Sequence, residues 1–214
     1  MSFFRSYSAM PSVVQALLIA NIGMFVLELS GAGNQLVSLL ALWPLGTSST
    51  LLFGLTPPPF ELWQLVTYSF LHGSLIHLLL NMYALWLFGS RMERYWGSRV
   101  FALYYFVCVV GAGLVQLFVA SQAAQQGGIY PTVGASGGVF GLLLAFGLTF
   151  PIERLLLIFP PVVLPAKWFV LIYAAFELWA GVTGTSAGVA HFAHLGGMLF
   201  GLTLLLYWRR QPPG

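Results

Sequence analysis

Residues 190–210 read AHFAHLGGMLFGLTLLLYWRR. The stretch is apolar apart from two histidines and a threonine until it reaches the two terminal arginines. A helix needs roughly 20 mostly apolar residues to cross the hydrocarbon core of a membrane. The stretch therefore predicts a transmembrane helix that begins with histidines and ends at a positively charged boundary.

The composition extends this prediction to the whole chain. Hydrophobic residues make up 59% of the 214 positions and charged residues only 6%, whereas about a quarter of a soluble domain is charged. We predict a single all-α polytopic membrane domain over residues 1–214, with an uncleaved first helix because no small-residue cleavage site ends it. Its six predicted spans are 12–30, 72–90, 98–120, 133–150, 165–182 and 190–208.

The basic residues predict the orientation of this six-helix bundle. All of them fall on one side of it: Arg5, Arg91, Arg94, Arg99, Arg154, Lys167, Arg209 and Arg210. The three loops on the other side contain neither lysine nor arginine: 31–71, 121–132 and 183–189. By the positive-inside rule both termini are cytoplasmic, and we expect a multi-pass protein of the cell (inner or plasma) membrane. The net charge of +3 is not gathered on a soluble face, so nucleic acid is not an expected partner.

Two segments on the predicted external side are interrupted or enriched by glycine, serine and threonine. The apolar stretch 36–55 is interrupted by Pro44, Gly46 and a Thr-Ser-Ser-Thr cluster. A span there would place arginines on both sides, so we interpret it as part of a long external loop between helices 1 and 2, lying in the membrane interface. The Gly/Ser/Thr-rich segment 181–189 is predicted to be a mobile cap.

The polar residues of three predicted spans are expected to lie at a similar depth in the membrane. Counted from the cytoplasmic boundary at about 1.5 Å per helical residue, Ser136, His194 and His77 lie at roughly 25, 22 and 21 Å. In a core of about 30 Å this is near the external surface, which predicts a shared aqueous cavity that opens outward. His72 and His191, close to these groups in sequence, are expected to hydrate or orient the site.

These residue types predict nucleophilic catalysis. A neutral histidine can take the proton of a serine hydroxyl, so His194 is the candidate base for Ser136. His77 and Asn81 share one helix face and can donate hydrogen bonds to an oxyanion. We expect no acidic residue to reach His194 at this depth, and no motif links one to it, so we predict a Ser–His dyad rather than a triad. The combination predicts proteolysis within the membrane.

The glycines predict how the two helices meet. Small residues recur four apart in the pairs Gly134–Gly138, Gly137–Gly141 and Gly197–Gly201. Such spacing lets membrane helices approach closely, which would bring Ser136 and His194 within hydrogen-bond reach. Phe140, one turn after Ser136, is predicted to stack on the His194 ring.

Two other classes of protein remain open. The four histidines could ligate haem or a metal ion, although they come as one i, i+5 pair and one i, i+3 pair and such a site needs no Asn81. A non-catalytic protein that binds membrane helices is the second alternative. We predict that no cofactor or metal is required.

The chain resembles the rhomboid family of intramembrane serine proteases, in their basic six-helix prokaryotic form. The resemblance is carried by HGSLIHLLLN (72–81), Gly134-Ala-Ser136-Gly137 and His194-x-x-Gly197-x-x-x-Gly201. It implies Ser136 as nucleophile, His194 as base, and His77 and Asn81 as oxyanion donors, with the glycines and Phe140 in support. It also implies transmembrane protein substrates within the lipid bilayer. Two positions depart from the family pattern: Trp63-Gln64 where Trp-Arg is common, and Phe140 where tyrosine is frequent.

Overall fold

The computed structural model describes residues 10–46, 56–157, 161–184 and 190–213. The helices within these ranges are α1 (Ser12–Leu27), α2 (Gly33–Leu40), α3 (Gln64–Thr67), α4 (Leu75–Ala84), α5 (Ser90–Trp96), α6 (Ser98–Gln125), α7 (Ser136–Thr149), α8 (Ala166–Thr183) and α9 (His191–Arg210). Turns of π-helix join α1 to α2 (Glu28–Ala32) and α4 to α5 (Leu85–Gly89), and a 3₁₀ turn (Tyr68–Phe70) follows α3. Strands β1 (Arg154–Leu157) and β2 (Val162–Pro165) pair antiparallel between α7 and α8.

The prediction of an all-α polytopic bundle is confirmed. In the described part of the chain, four helical runs are long and apolar enough to cross a membrane: Ser12–Leu40, Ser98–Gln125, Ala166–Thr183 and His191–Arg210. The second predicted span is the longer arm of a pair, Gln64–Phe70 and Leu75–Trp96, bent by 101°. The fourth is the shorter apolar helix α7. In the described part of the chain, the β1–β2 hairpin and an isolated antiparallel bridge between Leu42 and Thr132 depart from helix, and neither is predicted by the sequence.

The helix bounds differ from the predicted ones where local geometry intervenes. The first helical run continues to Leu40, past a break at Gly31 whose φ is 94°. The second span starts at Leu75 rather than 72, because the Ser74 side chain caps it by accepting a hydrogen bond from the His77 N–H at 3.1 Å. It then runs to Trp96. The predicted interfacial loop is therefore partly helix, and its residues 47–55 lie outside the described ranges.

Helix α6 is the central element. Inside the protein, 56% of its most apolar window is buried, against 22% for α8 and for the first helical run. Helices α7 and α9 cross so closely that a Cβ on Gly197 would overlap the carbonyl oxygen of Gly137. A Cβ on Gly201 would instead meet the Tyr104 hydroxyl of α6. The small-residue pattern thus serves two different helix contacts.

Candidate active site

Ser136 and His194 lie at the starts of the two closely crossed helices. Ser136 is the first residue of α7, and His194 is in the first turn of α9. Nε2 of His194 is 2.8 Å from Oγ of Ser136, a hydrogen-bond distance. Both His194 and the helix crossing beneath it are buried, so the pair is held by backbone packing rather than by a loop.

An aromatic ring fixes the plane of the imidazole. The Phe140 ring is stacked on the His194 ring, with 4.1 Å between centroids and 7° between planes. The other neighbour of Phe140 is Tyr173 of α8, whose ring centroid is 5.7 Å away. The stack restricts rotation of the His194 ring about its Cβ–Cγ bond, and in the observed plane the two ring nitrogens point to different sides.

A carboxylate occupies the other side of the imidazole, so the prediction that no acidic residue reaches His194 is wrong. Oε2 of Glu177, on α8, lies 2.9 Å from Nδ1 of His194 and 2.6 Å from Nδ1 of His191. The His191 contact has hydrogen-bond geometry, whereas the His194 contact is an ion-pair distance without that directionality. A charged group within a span needs a partner, and here the partners are the two histidines of α9.

The same three groups have the composition of a metal site. The candidate ligand atoms of Glu177, His191 and His194 all lie within 4.8 Å of one another and are buried. Two imidazoles and a carboxylate are a ligand set suited to zinc, but bonds of about 2.0–2.1 Å would spread neighbouring ligands to roughly 3.3 Å. The present separations of 2.6 and 2.9 Å fit direct hydrogen-bond and ion-pair contacts better.

A cavity of about 840 Å³ opens beside Ser136. The residues that line it come from the start of α4, from α6, from the segment before α7 and from the start of α9: Gly73, Ser74, Ile76, His77, Leu80, Gln116, Tyr130, Pro131, Thr132, Val133, Ser136 and Ala190. Of the two predicted oxyanion donors, His77 lines this cavity. Asn81 is buried one turn further along α4, and its amide nitrogen donates to the His77 carbonyl oxygen at 3.0 Å.

The His77 ring packs against the turn that leads into Ser136. Gly134 there has φ +126°, and a Cβ on it would lie 2.6 Å from Cε1 of His77. Glycine is thus needed for both backbone conformation and ring contact. His72 is buried beside His77, with ring centroids 5.1 Å apart, and its backbone N–H donates to the Glu28 carboxylate at 3.2 Å. His77 therefore lies both on the cavity wall and against the turn that leads into Ser136.

The family model for the rhomboid domain matches residues 59–211. This range contains Ser136, His194, Glu177 and every residue that lines the cavity. The chain belongs to the rhomboid family.

Similar rhomboids occur in animals and plants. The mouse (Mus musculus) presenilin-associated rhomboid-like protein, mitochondrial, is 33% identical over 158 residues, which cover 68% of this chain and 39% of the mouse protein. RHOMBOID-like protein 4 of Arabidopsis thaliana is 37% identical over 145 residues, which cover 67% of this chain and 33% of the plant protein. RHOMBOID-like protein 6, mitochondrial, of the same plant is 29% identical over 153 residues, covering 71% and 45%. This chain thus matches less than half of the length of these relatives.

The sequence did not assign two polar residues that the structure places at this rhomboid site. Gln116 is 2% exposed on α6 and lines the cavity; its polarity within an apolar run was the available signal. The signal for Glu177 was an acidic residue within an apolar segment, which is costly without a partner, but α8 carries no motif that points to His194. Only the packing of α8 against α9 brings the carboxylate to His194.

Proposed function

We propose that this rhomboid is an intramembrane serine endopeptidase that cleaves transmembrane segments of other membrane proteins. The observation that carries the proposal is the 2.8 Å contact between Ser136 Oγ and His194 Nε2 beside the cavity. A serine becomes a useful nucleophile when a base stands within hydrogen-bond reach of its hydroxyl. Family membership supports the same reaction class.

The chemistry then follows in two steps. Ser136 Oγ attacks the substrate carbonyl while its proton passes to His194, which delivers that proton to the leaving amine and leaves an acyl-enzyme. Water from the cavity, deprotonated by His194, hydrolyses the ester and restores the serine. The donors we assign to the oxyanion are the His77 ring, the Asn81 amide and the Ser136 backbone N–H at the amino end of α7.

Substrate helices are proposed to approach the cavity beside α8 or α4. Ile76 and Leu80 of α4 line the cavity and are 66% and 65% exposed on the outer surface of the described bundle, so this wall faces both lipid and cavity.

A crosslink that ties α8 to α4 should slow cleavage of a membrane substrate, and full-rate cleavage would contradict this route. The proposed cap at 181–189 lies outside the described residues beyond Gly184.

This rhomboid is a multi-pass membrane protein, and we propose the cell (inner or plasma) membrane, cytoplasmic termini and an external opening of the cavity. The distribution of basic residues supports this orientation. The mitochondrial location named for two of the relatives belongs to those proteins.

The decisive experiment is fluorophosphonate labelling of the purified protein in detergent. We expect wild type to be labelled and Ser136→Ala and His194→Ala to be unlabelled, with all three showing the same thermal unfolding midpoint. A type I membrane reporter should be cleaved by wild type alone. A folded wild type that neither labels nor cleaves would overturn the protease proposal in favour of a non-catalytic helix-binding protein.

Metal removal gives a second test. Because the proposed reaction uses no metal ion, treatment with a strong chelator should leave the labelling rate unchanged. An absorption spectrum of the same sample should contain no Soret band. Loss of labelling on chelation, restored by zinc, would instead assign a metal to the cluster of Glu177, His191 and His194.

A further inference from the structure

We infer that Glu177 is a positioning residue for His194. From α8, its carboxylate holds the Nδ1–H side of the imidazole so that Nε2 faces Ser136 as a proton acceptor. This inference rests on the proposed function, and it extends the predicted Ser–His pair to a line of three side chains on three helices.

The distances place the imidazole between an acceptor and the nucleophile. Nδ1 of His194 is 2.9 Å from Glu177 Oε2, and Nε2 is 2.8 Å from Ser136 Oγ. A neutral histidine carries one ring proton, and only the tautomer protonated on Nδ1 has a free Nε2 lone pair for the serine proton. A carboxylate oxygen accepts and does not donate when ionised, so Glu177 favours that tautomer. It also stabilises the imidazolium that forms when the serine proton arrives.

Burial and a second histidine fix the carboxylate in place. Glu177 is 4% exposed, which leaves protein groups rather than bulk water to satisfy it. Oε2 is also 2.6 Å from Nδ1 of His191, with hydrogen-bond geometry. An ionised Glu177 accepts this bond, which orients the oxygen that faces His194. His191 thus acts through Glu177, one helical turn before the base.

Phe140 and Glu177 constrain different properties of the His194 ring. Because Phe140 covers one face of His194 at 4.1 Å, the ring plane is already restricted. Two things remain to be set: which of the two ring orientations related by a 180° turn about Cβ–Cγ is adopted, and which nitrogen carries the proton. Among the described acidic residues, Glu177 is the one with a carboxylate oxygen within ion-pair distance of His194. Removal of the Glu177 carboxylate should therefore change the orientation and the tautomer of His194 while His194 itself stays in place.

The test compares Glu177→Gln and Glu177→Asp with wild type in liposomes, using cleavage of the type I reporter and fluorophosphonate labelling. Glutamine keeps the shape but can donate to Nδ1 and favour the wrong tautomer. We expect kcat and the labelling rate of Glu177→Gln to fall by about ten- to a hundredfold, with KM and the unfolding midpoint unchanged. Aspartate keeps the charge and should recover several-fold of the lost rate.

The controls separate this inference from the proposed function. Glu153→Gln removes an exposed carboxylate outside the site and should match wild type, while Ser136→Ala should be inactive. If wild type is active and Glu177→Gln has wild-type kcat, the positioning role fails and the protease survives. If wild type is inactive, the proposed function itself fails.

Folding defects are also informative. If Glu177→Gln does not fold, the aspartate variant decides: a folded variant with lower kcat and unchanged KM supports positioning, and one with wild-type kcat overturns it. Unfolding of both variants, or loss of rate only in parallel with a lower unfolding midpoint, would make Glu177 a structural tie between α8 and α9 and would overturn the inference.

Discussion

Single atoms decide whether Ser136 and His194 can meet. Gly197 on α9 contacts the backbone of Gly137 on α7, and a methyl group at position 197 would occupy the same space as a carbonyl oxygen. Backbone atoms cannot yield as a flexible side chain can, so the helices would have to separate. The hydrogen bond between Ser136 and His194, which spans the same two helices, would lengthen with them.

The first prediction concerns this contact. Gly197→Ala should destabilise the protein by about 1–3 kcal/mol, the usual cost of overpacking, and should abolish fluorophosphonate labelling. Gly23→Ala is the matched control, because a Cβ on Gly23 in α1 meets no atom within 4 Å. Thermal unfolding in detergent measures the first effect. A Gly197→Ala variant with wild-type stability and labelling would show that the crossing is not tight.

The second prediction concerns the stack on the base. Phe140→Ala removes the ring that lies 4.1 Å from His194, and kcat should fall about tenfold as the imidazole gains freedom. Phe140→Tyr keeps the ring and should retain most of the rate. Reporter cleavage measures both. Equal kcat for the alanine and tyrosine variants would exclude an orienting role for the ring.

The residue roles follow from sequence only where a local pattern exists. Ser136, His194, His77 and Asn81 stand in short motifs whose spacing sets their helix face and depth. Glu177 is 17 residues before His194, across a loop and on another helix, so its contact depends on the rotation of α8. Periodicity does not determine that rotation, since every face of a membrane helix can be apolar.

At the scale of elements, the end of the bundle where α1 begins is tied together by one carboxylate. Helix α1 begins after Pro11 without a side-chain cap of its own. Glu93 of α5 supplies the acceptor instead, at 3.0 Å from the Val13 N–H and 2.8 Å from the Val14 N–H. It also accepts from the Ser98 hydroxyl at 2.7 Å. The carboxylate thus caps α1 and joins it to α5 and the start of α6.

The third prediction follows from this cap. Glu93→Ala leaves buried N–H groups of α1 without their acceptor and should lower the free energy of unfolding by about 1–3 kcal/mol. Glu153→Ala, on an exposed carboxylate of the same membrane side, should change it by less than about 0.5 kcal/mol. Thermal unfolding compares the two. An equal effect of both substitutions would mean that Glu93 contributes only net charge.

For the whole molecule, the sequence predicted an apolar helical bundle better than the shapes of its helices. Length, hydropathy and arginine positions predict six helices with one orientation. They do not predict the 101° bend before α4 or the break at Gly31, because both depend on capping and on a glycine conformation that tertiary packing selects. The β1–β2 hairpin was missed because its residues are apolar without a clear two-residue alternation.

The fourth prediction tests the orientation of the whole molecule. The single cysteine, Cys108, is fully buried, so wild type should not react with a membrane-impermeant maleimide. In intact cells Tyr130→Cys, at an exposed position on the cavity wall, should be labelled from outside. Gln211→Cys, exposed after α9, should be labelled only after lysis. The reverse pattern would invert the assigned topology.

The size of the cavity has a consequence for hydration. At about 30 Å³ per molecule, a volume of about 840 Å³ accommodates on the order of two dozen water molecules next to Ser136. That volume of water next to Ser136 would supply the nucleophile of the proposed second step without drawing it through lipid. Water supply should then not limit deacylation, and we expect reporter cleavage to proceed linearly from time zero without an initial burst.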